Sequence, residues 1–337
     1  MKNYIFYGLI LIFAACNQSK SIKTITQEKI ADNASNYTGT ASITQGSTNT
    51  QVESIYECVA GRPTDIGVIK STDGKQWTVP ASTNFNNKNF PTAPDLHNPC
   101  NGNTYSNVQE AISKLDGSDI IEIDKDGELF TAYIFADNYF EMYVNGIPVG
   151  KDKVPFTQFN SSLVRFKVTK PFTIAMKLVD WEEALGIGTE KNQGSNFHAG
   201  DGGMVAVIKD IHDTIIAATN ENWKALTFYT SPIKDLNCVT ETGLIRTSKN
   251  CDETDSDDGT SFYGLHWELP MGWEKANFDD SNWPHAVTYT NKTIGIDNKK
   301  AYTNFTEIFD NQTNDAKFIW SANVVLDNEV IVRYTVK

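Results

Sequence analysis

The chain has 337 residues, and 42 Asp and Glu against 29 Lys and Arg leave a formal charge of −13. With no cluster of basic residues, that balance excludes a nucleic-acid binder, because neutralising phosphates takes grouped Lys and Arg. It suits a solvated surface that offers carboxylates to cations.

Residues 1–15 read as a lipoprotein signal peptide. Lys2 supplies a positive start, Tyr4 to Phe13 is an unbroken apolar run, and Ala14-Ala15-Cys16 closes it with small residues. Such a run has the length of a signal-peptide core and is too short to cross a bilayer as a helix. Phe13-Ala14-Ala15-Cys16 resembles the lipobox of bacterial lipoproteins, with Phe where that motif usually has Leu. The resemblance implies a lipidated Cys16, and attachment to the outer membrane through lipid alone. Asn17 carries no signal for retention at an inner membrane.

Residues 16–51 are rich in Ser, Thr, Asn and Gln and are expected to be a flexible tether, since they bury too little apolar surface to offset ordering. Residues 52–119 have low apolar density and many turn residues. They are expected to extend the fold at its N-terminus without a core of their own, with one short helix over Val108 to Leu115. Four cysteines remain after Cys16, which in an exported chain predicts two disulfides with three possible pairings. Proximity favours Cys58–Cys100 and Cys238–Cys251, and no Cys-x-x-Cys pair supports a metal site.

Residues 120–337 alternate apolar with polar over runs of four to eight residues that end in Gly, Asn, Asp or Pro. Examples are Ile120 to Ile123, Phe140 to Val144, Val164 to Val168, Thr173 to Val179 and Val330 to Val336. Asn145-Gly146 between two such runs predicts a tight hairpin, because both positions tolerate positive φ. Trp181 to Leu185 has the pattern of a single helical turn. No repeat of 20 to 50 residues indicates a propeller or solenoid. The spacing predicts an all-β, antiparallel β-sandwich with loop insertions.

The block Phe135-Ala136-Asp137-Asn138-Tyr139-Phe140-Glu141-Met142-Tyr143-Val144-Asn145-Gly146 resembles a strand and hairpin of the galactose-binding-like jelly-roll modules. Gly272 to Ala286 (GWEKANFDDSNWPHA) resembles the same family's W…F-D-D-S-x-W segment, and Trp223-Lys224 matches a W-K between the two. The resemblance covers roughly 130 to 290. It implies a jelly roll and binding of glycans. Asp180 to His198 and the disulfide-bounded Leu236 to Gly259 are longer than the usual connections. Asp137 and Asn138 are expected to bond their own backbone at a strand start, and Asp279-Asp280-Ser281 to form a turn.

Three segments carry candidate chemistry. In the acidic loop Asp252, Asp255, Asp257 and Asp258, with Glu253, could supply oxygens to calcium, although the spacing is not that of an EF-hand. Asp124-Lys125-Asp126-Gly127 reads as a fragment of a calcium loop or as a tight turn. Asp180-Trp181-Glu182-Glu183, with His198 and Asp201 beside a Gly-rich turn, combines an aromatic face with carboxylates, the parts of a sugar site. The five histidines show no ligand spacing, and no G-x-S-x-G elbow, P-loop or dinucleotide fingerprint is present.

The expected function is therefore non-catalytic glycan binding at the cell envelope, with calcium as a candidate structural ion. Two alternatives stand beside it: a structural or adhesive envelope protein that meets a protein partner, and a glycan hydrolase that uses residues 180–201.

Overall fold

The alternation in the sequence becomes two packed sheets in a computed structural model, which describes Met1, Ala34 and residues 37–58, 61–156, 159–192, 194–255, 258–311 and 316–337. The signal peptide, Cys16, most of the expected tether and Asp257 lie outside these residues. Among the described residues no helix is long and apolar enough to cross a membrane.

One sheet runs Ser42–Gln45, Tyr263–His266, Lys224–Ile233, Asp327–Val336, Phe172–Val179, Tyr139–Val144 and Ile147–Lys151, in that spatial order. The other runs Val287–Tyr289, Phe318–Trp320, Gly203–Asp210, Glu128–Asp137, Ser161–Val168, Asp95–Asn98 and Asn103–Thr104. Pairing along both is antiparallel; the short strand Ile121–Glu122 joins Ser161–Val168 in parallel. The protein is thus an all-β sandwich. Phe172, Ile174, Met176 and Leu178 point into the shared core, where Phe130 and Phe166 meet Phe172 with ring centroids 5.1 and 5.7 Å away. Asn145 and Gly146 both take positive φ and close the hairpin between Tyr139–Val144 and Ile147–Lys151.

The strand Phe172–Val179 is buried at every position, so its second face is covered as well. Around Lys177 the cover is the N-terminal extension. Lys151 Nζ donates to the carbonyls of Asn84, Phe85 and Asn87 at 2.6–2.8 Å. Lys177 Nζ donates to Ser82 O at 2.6 Å and pairs with Glu329 at 3.3 Å. The fully buried carboxylate of Glu141 accepts from Asn84 N and from Asn84 Nδ2. Charged side chains on the outer face of a sheet normally meet water; here they hold a polar loop whose carbonyls would otherwise be unpaired.

Four sequence expectations change. Ser42–Gln45 lies in the stretch expected as a tether, yet it forms an edge strand against Tyr263–His266 and buries Ile43. Backbone pairing holds it, and composition does not register that. Asp95–Asn98, expected in the extension, is likewise a strand of the second sheet. Residues 181–185 form no helix: Ala184 pairs with Thr189 across a turn, and Trp181 is drawn into the packing beneath the extension. The helix expected over 108–115 is confined to Val108–Ile112, capped by Asn107, whose side chain accepts from Glu110 N.

Two disulfides join Cys58 to Cys100 and Cys238 to Cys251, with Cα atoms 5.2 and 5.0 Å apart. The first ties the extension to the end of the strand Asp95–Asn98. Short helices Asn291–Ile294, Lys300–Thr303 and Thr306–Phe309 cover part of the second sheet, where Tyr302 stacks on Phe309 and meets Phe135 edge-on.

Candidate functional site

The chain crosses from one sheet to the other at Asp137-Asn138, between the strands Glu128–Asp137 and Tyr139–Val144. Asn138 N donates to Val179 O at 3.1 Å, which sets Asp137 close to Asp180. Gly203 lies opposite Asp137 in register, which brings the preceding Asp201 to the same end of the sandwich. Glu190 opens the short strand Glu190–Asn192 and closes the group. These four carboxylates line a cavity of about 320 Å³, with Phe156, Phe159, Asn160, Arg62 and Lys299 among its other walls. That volume is at the lower end of small-ligand sites.

The polar atoms of this cavity are unevenly matched. Arg62 forms an ion pair with Glu190 and lies 5.5 Å from the centre of the Phe156 ring. Lys299 Nζ stands 4.3 Å from the centre of the Phe159 ring. Asn138 Nδ2 donates to Asp137 Oδ1 at 2.6 Å, and Asn138 Oδ1 accepts from Trp181 N at 2.6 Å. Asp180 is 7% exposed, and among the described residues no donor reaches its carboxylate. Asp201 Oδ2 is also buried without a donor.

Burial pushes Asp180 well above the ordinary carboxylate range, and repulsion from Asp137, Glu190 and Asp201 adds to it. Asp137 is raised by burial and then by Asp201 and Glu190. Asp201 is raised to about 7, first by burial and then by Glu190, with His198 opposing. Glu190 is raised by burial, against the pull of Arg62. Like-charged carboxylates sharing a site hold protons that isolated ones would release.

The segment 180–201 thus supplies three of the four carboxylates, but not mainly through the residues its sequence favoured. Trp181 is 1% exposed; its ring meets Tyr139 edge-on and its Nε1 donates to Asp65 O at 3.2 Å, so neither face is open to a ligand. Glu182 is buried beside the cavity, accepts from Gly186 N and from Tyr229 Oη at 3.4 Å, and is raised by burial to about 8. Glu183 accepts from Lys191 N at 2.7 Å. His198 Nδ1 lies 2.8 Å from Asp255 Oδ1, joining the acidic loop to the strand Ser195–His198. Of the five residues marked for ligand binding, Asp201 alone lines the cavity. Asp137, Glu190, Arg62 and Lys299 were not marked. The signal that could have found Asp137 was its position in the family-like block, where it reads as a turn residue.

The acidic loop is held by protein donors. Asp252 accepts from Thr254 N and Thr254 Oγ1 and pairs with Lys234 at 3.0 Å, which together hold it down at about 2. Asp258 accepts from Thr260 N and Thr260 Oγ1, and Glu253 from Asn323 Nδ2. Asp124 accepts from Thr169 N and its carbonyl from Gly127 N, as a turn requires. Among the described residues, no three His, Cys, Asp or Glu side chains converge as a metal site would need.

The fold and cavity define an all-β sandwich with a carboxylate-rich pocket at one end. No family model, curated protein or solved structure matches the chain.

Proposed function

We propose that this cavity binds a saccharide, without chemistry on it, in an exported protein held to the outer membrane by lipid on Cys16. The observation that carries the binding reading is Asp201 Oδ2, a buried atom of the cavity wall without a hydrogen-bond partner among the described residues, beside the nine-tenths-buried Asp180. A buried acceptor costs about 1–3 kcal/mol until a donor arrives, and sugar hydroxyls are donors presented in clusters. Phe156 and Phe159 make part of the wall apolar, with Arg62 and Lys299 lying over their rings.

Gly200 offers a test that leaves every charge in place. A Cβ built there would lie 3.6 Å from Asp180 Oδ2 and 3.7 Å from Glu190 Cδ, ordinary contact distances, so alanine fits and a larger side chain enters the cavity. The full chain is expected to bind a subset of glycans on an array, Gly200→Ala to retain them and Gly200→Leu to lose them while melting normally. An array without signal, or binding that survives Gly200→Leu, overturns the reading; a protein partner captured instead would make the chain an adhesive envelope component.

For the anchor, Cys16→Ser is expected to move the protein from the membrane fraction to the soluble one. Unchanged fractionation would refute lipid attachment.

A further inference from the structure

We propose that the ligand carries a free ammonium group, as an amino sugar does, and that Asp180 receives it in the cavity that Asp137 and Asp201 also line. This rests on the saccharide reading and names the class of sugar.

Charge within the cavity is the first argument. Four carboxylates face two cations, and one of those cations, Arg62, is already paired with Glu190. The other, Lys299, sits over the Phe159 ring and, among the described residues, forms no ion pair with a carboxylate within 4.0 Å. Asp137, Asp180 and Asp201 are therefore left without a salt-bridge partner. A neutral sugar would satisfy their hydrogen bonding but bring no charge to let them ionise side by side. An ammonium removes both penalties at once.

Geometry separates an ammonium from a metal ion. Calcium draws six to eight oxygens to about 2.3–2.6 Å of one point, and a convergence of that kind is absent among the described residues. An ammonium needs only one charged acceptor at about 2.8 Å, with neutral oxygens for its other protons, so Asp180 can hold it without three carboxylates converging. Asp180 is the anchor of the three, because it is nine-tenths buried and has no donor of its own. Asn138 already occupies one oxygen of Asp137, so that residue has a single free oxygen to offer.

The experiment is calorimetric titration of the full chain with three probes: glucosamine oligomers, their fully N-acetylated counterparts, and spermidine. Glucosamine oligomers are expected to bind at least about tenfold more tightly than the acetylated ones, about one buried charge-assisted contact. Asp180→Asn should erase that ratio, and its melting shows whether the fold is intact. Equal or tighter binding of the acetylated oligomers overturns the ammonium while leaving the saccharide reading standing. Spermidine binding, lost in Asp180→Asn, with neither oligomer bound, keeps the ammonium and overturns the saccharide. No binding of any probe overturns both.

Discussion

Arg333→Ala is expected to cost the fold about 3–5 kcal/mol, as breaking a buried ionic contact does. Arg333 is 1% exposed in the strand Asp327–Val336, at the centre of its sheet and on the face turned away from the sandwich core. Its Nε donates to Asp280 Oδ2 at 2.7 Å. One terminal nitrogen donates to Trp273 O, and the other to Lys275 O at 3.1 Å and Phe278 O at 3.5 Å. The guanidinium also lies 5.1 Å from the centre of the Phe278 ring. One side chain thus clamps the whole segment 273–280 to the sheet. Truncation would leave three carbonyls and a carboxylate facing apolar surface, each short of a donor. Arg333→Lys should recover little, because one compact ammonium does not reproduce the planar fork. Asp280→Ala should cost less, since Asp280 is partly exposed and the carbonyl contacts survive it. Chemical denaturation compares the three, and a loss under about 1 kcal/mol for Arg333→Ala would show that the clamp is not what docks the segment.

The sandwich was legible because it is written in local alternation. Val330 to Val336 places Arg333 on the outer face by period alone, and Thr173 to Val179 does the same for Lys177. What covers those outer faces is not local. Trp273 to Asp280 reaches Arg333 across more than fifty residues, and Ser82 reaches Lys177 across 95. A polar residue at an outward position reads as solvated until its cover is known. The cavity was half legible for the same reason. The richness of 180–201 in carboxylates and its aromatic residue pointed to the right stretch. Yet whether Trp181 is open or buried depends on Ala81, Ile55 and Ile66 from the extension, and the Arg62–Glu190 pair spans 128 residues. Composition of a segment shows which groups are available; packing from elsewhere decides which of them face the cavity.

A site assembled from mutually repelling carboxylates should weaken the fold that holds it, and Asp180→Asn is expected to stabilise the unliganded protein. The amide keeps the shape of the carboxylate and has no charge to strip of water on burial or to set against Asp137, Glu190 and Asp201. The gain should be about 1–2 kcal/mol near pH 8, in the range of stabilising substitutions. Its pH dependence follows from the direction of the shift. A carboxyl whose folded pKa is raised above its unfolded value gives its full stability below the unfolded value of about 4 and loses it as pH rises toward the folded one. Asp180 is raised in that sense, so the wild type is penalised increasingly above about pH 4, while an amide is not. Melting temperatures of the two proteins should nearly coincide close to pH 4 and separate as pH increases. Asp201, raised to about 7, responds in the same direction in both proteins and does not create the difference. An equal gain at every pH would trace the effect to packing, and no gain at pH 8 would mean the Asp180 carboxylate already has its partner. If the gain appears together with loss of glucosamine binding, the buried charge is retained at the expense of stability because the ligand needs it.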